Sequence, residues 1–194
     1  MSARLILAST SPYRRELLDR LGVPYEAVPH HCDEGPVMAA GGPPEAGAGA
    51  LARAKAESLR EACPGAWILG SDQVAEVDGA ILGKPGTPEK ARAQLARLAG
   101  RAHRLVTAVC LLGPEGQRSE HVDVHGMHLR ALSEAEVARY VAREAPLDCC
   151  GSYKIERLGI ALFERIEGRD FTAITGLPLM AVSAMLRDAG FDVP

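Results

Sequence analysis

The stretch LILASTSPYRRELL, residues 5–18, decides how the fold begins. Its first four residues form a short, continuous apolar run, which is typical of a buried strand. Ser11 followed by Pro12 is a helix-start signal, because the hydroxyl can cap the helix and proline needs no N–H partner in the first turn. Leucines then recur at helical spacing until Gly22, where the helix is expected to end. We therefore predict a strand, a turn and a helix.

The turn between this strand and this helix has the chemistry of an anion site. Free N–H groups at a helix N-terminus attract negative charge, and Ser9, Thr10 and Ser11 add hydroxyl donors. Arg14 and Arg15 fall in the first helical turn, where positive charge is unfavourable unless an anion lies between it and the helix. The pattern indicates a bound phosphate. The alternative is a solvated arginine pair beside a capped helix.

Length and composition suit a single α/β domain over residues 1–194, with 47% hydrophobic residues available for a core. The net charge of -3 provides no basic field for a nucleic-acid polymer. No apolar run is long enough to cross a membrane, and the N-terminus does not resemble a signal peptide. The five cysteines form no CxxC motif, so we expect reduced thiols and a cytoplasmic protein.

Strands and helices are mixed along the rest of the chain, which predicts an α/β fold with a mixed sheet and flanking helices. Asp78-Gly79 between two alternating runs predicts a type I′ hairpin. Thr87 and the capping box Ser133-x-x-Glu136 begin two helices. The glycine- and alanine-rich segment GGPPEAGAGA is expected to be a flexible surface connection. Further strands are expected at 23–29, 66–70, 103–112, 118–130 and 159–168, and further helices at 51–63 and 177–190.

The predicted hairpin brings two charged residues towards one end. If Asp78 and Gly79 form the turn, residue 73 faces residue 84, and Asp72 and Lys84 return to the same end. Asp72 also follows a buried strand, where α/β proteins place functional groups. This arrangement fits an ion pair. Next to the serine and arginine turn it equally fits an anion site with a base or a metal ligand.

Other candidate residues have ordinary alternatives. Asp33 and Glu34 lie in a polar turn, where an acidic pair can bind Mg²⁺ or be solvated. Lys55 lies in an amphipathic helix, where the alternative to a functional role is a surface lysine, and the alternative for Glu156 is a surface charge. A zinc site on one strand face is disfavoured because Gly126 interrupts its pattern and no thiolate is nearby. Its candidate ligands are His121, Asp123, His125 and His128.

Several short motifs, in order along nearly the whole chain, carry a family resemblance. They are LILASTSPYRRELL, DE at 33–34, LARAKA, GSDQV, LGKP, GSYKIE and GLPL. In combination they resemble the Maf family of nucleoside triphosphate pyrophosphatases. The resemblance implies hydrolysis of a nucleoside triphosphate to a monophosphate and pyrophosphate, a divalent metal (Mg²⁺ or Mn²⁺) and a homodimer. It also implies an elongated, two-lobed fold similar to that of other house-cleaning nucleotide pyrophosphatases.

The same resemblance assigns roles to matching positions. Asp72 corresponds to the catalytic acid–base residue, which takes a proton from the water that attacks the α-phosphorus. Glu34 corresponds to an acidic residue that holds metal together with Asp72 or orients the water. The positions that match the phosphate site are Ser9, Arg14, Arg15, Lys55 and Lys84.

Three further positions bear on specificity. Tyr13, Gln73 and Glu156 resemble the branch related to 7-methyl-GTP pyrophosphatase, whereas the branch acting on dTTP and UTP has Arg, Thr and Gln there. An aromatic ring can stack on a cationic methylated guanine, and a carboxylate can accept from the guanine N–H edge. The alternatives are a dTTP- or UTP-type pyrophosphatase and a nucleotide-responsive interaction protein in cell division. Neither a nucleic-acid polymer nor a membrane is expected as a partner.

Overall fold

The structure is a computed structural model, and it describes residues 3–39 and 41–194. Strand β1 (Leu5–Leu7) and helix α1 (Pro12–Asp19) form as predicted, with Ser11 at the N-cap position, although its side chain makes no capping hydrogen bond. Gly22 follows the helix with a φ of 66°, a left-handed conformation that glycine adopts without strain. Strand β2 is only Glu26–Ala27, shorter than the strand expected at 23–29, because it pairs with the last two residues of the short β1.

The expectation of a flexible connection at residues 41–50 is wrong from Pro44 onward. Helix α2 is Gly35–Ala39, and helix α3 is Pro44–Glu57, so the glycine- and alanine-rich segment forms the first half of a helix. Pro44 stands at the helix start, and Glu45 lies in its first turn, where the helix dipole favours a negative charge. Ala48 and Ala52 are fully buried. Tertiary packing of small side chains therefore outweighs the low helix propensity of glycine.

Strand β3 (Trp67–Val77) and strand β4 (Ala80–Leu82) form the predicted hairpin. Asp78 and Gly79 have φ angles of 53° and 77°, as a type I′ turn requires. The pairs Val77↔Ala80 and Ala75↔Leu82 fix the register. Helix α4 (Pro88–Leu98) begins as expected at Thr87, whose side chain accepts a hydrogen bond from the N–H of Lys90.

Strands β5 (Ala102–Leu112) and β6 (Arg118–Leu129) match the predicted strand pair. Helix α5 (Glu134–Glu144) carries the predicted capping box. The strand expected at 159–168 begins only at Phe163, because a 3₁₀ helix occupies Leu158–Leu162. A Cβ on Gly159 would overlap the carbonyl group of Lys154, so the chain turns tightly there. The remaining elements are a 3₁₀ helix at Cys150–Ser152, strand β7 (Phe163–Glu167), helix α6 (Thr172–Thr175) and helix α7 (Leu179–Asp188).

The strands form one mixed sheet of order β2-β1-β3-β5-β6-β7, with β4 paired to β3. Strands β2, β1 and β3 are parallel neighbours, and the pairs β3–β4 and β6–β7 are antiparallel. The predicted α/β class with a mixed sheet and flanking helices is therefore confirmed. No helix within residues 3–39 and 41–194 is long and apolar enough to cross a membrane.

The chain divides into two compact units. The first unit comprises Met1–Asp72, Thr107–Asp123 and Asp170–Pro194, and the second comprises Gln73–Val106 and Val124–Arg169. In the first unit, buried side chains of β1, α1, β3, β5 and α7 form a hydrophobic core. In the second, Tyr153 packs edge-to-face on Phe163, and its hydroxyl lies 2.9 Å from His103 Nε2. Burial lowers the pKa of His103 to about 4, so this histidine is neutral at pH 7.

Candidate active site

A glycine in strand β3 positions the first charged group of the site. A Cβ on Gly70 would overlap the carbonyl oxygen of Ala52 and lie 2.9 Å from the backbone nitrogen of Ala56. Helix α3 therefore lies directly against this strand, at a distance that only glycine permits. Lys55 lies between these two helix contacts, and the close approach carries it into the interior beside Asp72, which lies in the middle of β3 and not after a strand as expected.

Lys55 joins two carboxylates. Its Nζ donates to Asp72 Oδ1 at 2.6 Å and lies 2.9 Å from Glu34 Oε1. Lys55 is 5% exposed and Asp72 is 6% exposed, so the alternative of a surface lysine is excluded. The Glu34 side chain remains 46% exposed. The structure thus brings together Lys55, Asp72 and Glu34, which the family resemblance assigns to one site.

The Asp72 carboxyl has an unusual environment for an acid. Burial raises its pKa above the ordinary 3.8, because a carboxylate loses hydration when it leaves water. The ammonium of Lys55 opposes this shift by attraction and by its hydrogen bond, and Arg14 opposes it by attraction. A carboxyl held in this balance can bind and release a proton more readily at moderate pH than a solvated aspartate can.

His30 borders this cluster, although the sequence analysis did not select it. Its Nε2 lies 3.7 Å from Glu34 Oε1, and its Nδ1 is buried with no hydrogen-bond partner among the described residues. Burial, followed by the charge of Lys55, lowers the pKa of His30. The imidazole is therefore neutral at pH 7. Only its position in the polar turn before Asp33 could have drawn attention to it.

A second group of side chains surrounds the turn after β1. Ser9 is buried, and its hydroxyl accepts from the N–H of Ser11 at 3.1 Å. The Arg14 guanidinium lies 3.5 Å from the same hydroxyl, and its Nε donates to the carbonyl of Gly176 at 3.2 Å. The fully buried Ser71, next to Asp72 in the chain, donates to that carbonyl as well, at 2.9 Å. Arg14 is thereby held by its Nε edge.

The loop that carries the Gly176 carbonyl is fixed by a buried carboxylate. Asp170 accepts from the N–H of Thr172 at 3.0 Å and from the N–H of Met180 at 2.7 Å. The Thr172 hydroxyl accepts from the N–H of Leu179 at 2.9 Å. Gly176 itself has a φ of 120°, and a Cβ there would lie 3.3 Å from Arg14 Nε. The GLPL motif therefore has a structural role that its sequence alone did not explain.

Two further candidate residues, Arg15 and Tyr13, also lie on α1. Arg15 is exposed, and its backbone carbonyl accepts from the Tyr25 hydroxyl at 3.1 Å. That hydroxyl also donates to Asp19 at 2.8 Å, so Arg15 borders a surface groove along α1. Tyr13 is half-buried in the first turn of α1. The assignments of Arg15 to phosphate and of Tyr13 to specificity stay predictions.

The remaining selected residues belong to the second unit. Gln73 is half-buried in β3, and its carbonyl accepts from the Cys150 thiol at 3.3 Å. Lys84 is exposed, two residues after the end of β4, and the β3–β4 ladder stops at Ala75↔Leu82 before it reaches this lysine. Glu156 is exposed in the turn before the 3₁₀ helix Leu158–Leu162. Their assigned roles also stay predictions.

Within the part of the chain that the structure describes, no group of three or more His, Cys, Asp or Glu residues could hold a metal ion. The candidate zinc ligands of β6 accordingly form no such group among those residues, and two of them, Asp123 and His125, are buried. Glu34 and Asp72 remain a two-carboxylate set that converges on one ammonium group. Mg²⁺ commonly uses one or two protein carboxylates together with substrate phosphates and water, so this set fits such an ion.

Comparisons with known proteins were consistent along the whole chain. A family model described as Maf-like protein matches residues 4–189. A 7-methyl-GTP pyrophosphatase of Xanthomonas campestris pv. campestris (strain 8004) is 50% identical over 194 residues, covering 100% of each chain. Proteins of the same name from Cupriavidus metallidurans and Pseudomonas aeruginosa are 47% and 44% identical. The first match covers 96% of this chain and 94% of its relative, and the second covers 98% of each.

Two solved structures have lower similarity. One is a nucleoside-triphosphatase, dITP/XTP pyrophosphatase, from Mycobacterium abscessus, with a TM-score of 0.39 and 18% identity. The alignment covers 66% of this chain and 75% of that protein's chain. The other is the Ham1 protein of Staphylococcus aureus, with a TM-score of 0.41 and 14% identity, covering 65% of this chain and 71% of its own.

Proposed function

This chain belongs to the family of Maf-like proteins, and from that premise we propose that it is a nucleoside triphosphate pyrophosphatase. Relatives that are 44% and 50% identical over nearly their full length bear the name 7-methyl-GTP pyrophosphatase. The proposed substrate is accordingly 7-methyl-GTP or a related modified nucleotide. The proposed products are the nucleoside monophosphate and pyrophosphate.

The observation that carries this proposal is the buried pair of Lys55 and Asp72, 2.6 Å apart. Removing two charges from water costs free energy that their attraction does not reliably return, so stability alone does not account for the pair. The raised pKa of Asp72 suits a proton acceptor, since a general base works best when its pKa approaches the working pH. A buried ammonium next to this base suits the binding of a phosphate oxygen.

In the proposed reaction, Asp72 accepts a proton from the water that attacks the α-phosphorus. The bond between that phosphorus and the bridging oxygen breaks, and pyrophosphate leaves. Lys55 and Arg14 stabilise the negative charge that develops on the phosphate oxygens. Arg14 suits this role because its Nε edge is bound to Gly176, which fixes the plane of the guanidinium. Arg15 and Lys84 are assigned to phosphate binding by family resemblance.

Glu34 and Asp72 are the residues proposed to hold a divalent metal, Mg²⁺ or Mn²⁺. When bound, such an ion neutralises charge on the triphosphate and on the leaving pyrophosphate. Glu34 is suited to exchange partners because nearly half of its side chain is exposed, whereas Asp72 is almost fully buried. In the metal-free protein the ammonium of Lys55 contacts both carboxylates.

The preference for a methylated guanine is proposed to depend on Tyr13, Gln73 and Glu156. A tyrosine ring can stack on the cationic base and attract its charge. A carboxylate can accept from both N–H groups of the guanine edge, which a pyrimidine does not offer. A homodimer is proposed from family resemblance and a cytoplasmic location from the cysteine pattern, and light scattering would test the dimer.

The proposal is tested by pyrophosphate release with Mg²⁺ from 7-methyl-GTP, GTP, dTTP, UTP and CTP. We expect a strong preference for 7-methyl-GTP and a loss of at least about 100-fold in kcat for Asp72→Asn, in the range typical for a general base. Nucleotide binding by this variant should persist. The matched control is Asp192→Asn, an exposed aspartate near the C-terminus, which should keep full activity.

The other outcomes separate the alternatives. Unchanged turnover in Asp72→Asn contradicts the assignment of the base. Preferred hydrolysis of dTTP or UTP keeps the reaction but contradicts the specificity assigned to Tyr13, Gln73 and Glu156. Tight nucleotide binding without any pyrophosphate release supports a nucleotide-responsive interaction protein instead.

A further inference from the structure

A separate pocket lies within the second unit, between helix α5 and the 3₁₀ helix Leu158–Leu162. Its volume is about 540 Å³, which is within the range of small-molecule sites. None of the residues assigned to the proposed reaction lines it. An inference about this pocket therefore stands independently of the proposed function.

One side of the pocket is apolar. Leu158, Ala161 and Leu162 of the 3₁₀ helix line it, together with Tyr140 and Ala142 of α5. Tyr140 is almost fully buried, and its hydroxyl accepts from the N–H of Lys154 at 2.9 Å, so its ring is held in place. This wall can accept a ring or a short aliphatic chain.

Arg130 forms a fixed edge of the same pocket. Its Nε donates to the carbonyl of Ala161 at 3.0 Å, and its Nη1 donates to the carbonyl of Ala131 at 3.0 Å. Nη1 also lies 2.9 Å from Glu136 Oε1. The N–H and hydroxyl of Ser133, followed by Arg130, lower the pKa of Glu136 to about 2. Glu136 is therefore ionised at pH 7 and offsets the charge of Arg130.

Arg139 and Arg143 remain without such compensation. They lie four residues apart on α5, so they share one face of the helix, and both line the pocket. Both are exposed, and neither has a hydrogen bond or ion pair with any residue that the structure describes. The helix dipole favours Arg143 in the last turn but not Arg139 one turn earlier. The pocket thus combines an apolar wall with two unpaired guanidinium groups.

We propose that this pocket binds a small organic anion with one phosphate or carboxylate group and an apolar body. Guanidinium groups match such oxygens with paired N–H donors and stay charged at every relevant pH. Two arginines one helical turn apart can hold one anionic group from two sides. The ring or chain of the ligand then lies on Leu158, Ala161 and Leu162.

The test is calorimetric titration of the full chain with three probes. 1-Naphthyl phosphate carries both the anionic group and the apolar body. Inorganic phosphate carries only the anionic group, and 1-naphthol carries only the apolar body. We expect 1-naphthyl phosphate to bind at least tenfold more tightly than either of the others. The double variant Arg139→Gln/Arg143→Gln should weaken it at least tenfold while leaving the melting temperature nearly unchanged.

The matched control is Arg60→Gln/Arg92→Gln, which removes two exposed arginines elsewhere and should bind as the native chain does. Equal affinity of the native chain and the Arg139/Arg143 variant overturns the proposal, because the probe then binds at another place. Equal affinities for all three probes also overturn it. A change of oligomeric state in the Arg139/Arg143 variant, without a change in probe binding, would show instead that this face joins two copies of the chain.

Discussion

Helix α3 contributes Arg53 to one ion pair and Lys55 to another. Arg53 meets Glu120 with two donors, Nε to Oε1 at 2.7 Å and Nη2 to Oε2 at 3.2 Å. Both of those side chains are more than one third exposed, at 39% and 36%. Lys55 meets Asp72 through a single 2.6 Å contact, and its side chain is only 6% exposed.

The pair with better geometry is thus the one that water surrounds. Exposed pairs stabilise a fold by little, because solvent screens them and two long side chains must be ordered. A buried pair loses hydration on both sides, so its presence is weak evidence of a contribution to stability. Arg53 is thus a surface residue, and the burial of Lys55 and Asp72 is consistent with the role proposed for them in the reaction. Four predictions test this contrast.

The largest effect is expected for Lys55→Met. It leaves Asp72 buried without its partner, which costs about 3–5 kcal/mol of unfolding free energy. It also removes a proposed phosphate ligand, so pyrophosphate release should fall by at least about 100-fold. Urea unfolding and the pyrophosphate assay measure the two effects. Lys90→Met, an exposed lysine of α4, is the control and should change both by little. A stable, active Lys55→Met variant would make the buried pair incidental.

The next effect concerns the contact that buries Lys55. Gly70→Ala places a Cβ against the backbone of α3 and should destabilise the fold by about 1–3 kcal/mol, as overpacking does. It should also lower activity, because the helix must shift with Lys55 on it. Gly49→Ala is the control within the same helix: a Cβ there meets nothing within 4 Å. It should stabilise the helix by up to about 1 kcal/mol. A neutral Gly70→Ala would contradict the close approach of α3 to β3.

A smaller effect is expected in the titration of Asp72 in the metal-free protein. Its pKa is raised in the folded chain, so its stabilising contribution is full below the unfolded pKa and is lost as pH rises through the folded pKa. Carbon-13 NMR of the carboxyl should give a midpoint above 3.8, and Lys55→Met should raise the midpoint further because Lys55 lowers it. A midpoint at or below 3.8 would show that attraction to Lys55 outweighs burial.

The smallest effect is expected for Arg53→Gln. Breaking its contact with Glu120 should cost about 0.2–1 kcal/mol, and the cost should shrink in 1 M salt, where charges are screened over short distances. A double-mutant cycle with Glu120→Gln isolates the pair. A coupling as large as the loss in Lys55→Met would remove the distinction between the two ion pairs.

The sequence correctly predicted the elements whose signals lie within a few residues of each other along the chain. Ser133 and Glu136 form the capping box, and Asp78-Gly79 forms the type I′ turn, because each arrangement depends on residues within four positions. Two expectations that proved wrong, at residues 41–50 and before Phe163, concerned segments without such local signals. Residues 41–50 look flexible by composition, yet packing makes most of them helical, and the segment before Phe163 turns tightly around Gly159 instead of extending.

By itself, the sequence determined the α/β class, most element starts and the set of candidate residues. The residues themselves pointed to Ser9, Arg14 and Asp72, and the family resemblance added Glu34 and Lys55. The structure places all five in one unit. Only the tertiary structure decided that Lys55 is buried, that the Gly176 carbonyl holds Arg14, and that two arginines of α5 line an apolar pocket. The physical reason is the separation along the chain of the residues that interact. Caps and turns act between near neighbours, whereas burial depends on surfaces brought together from distant parts of the chain.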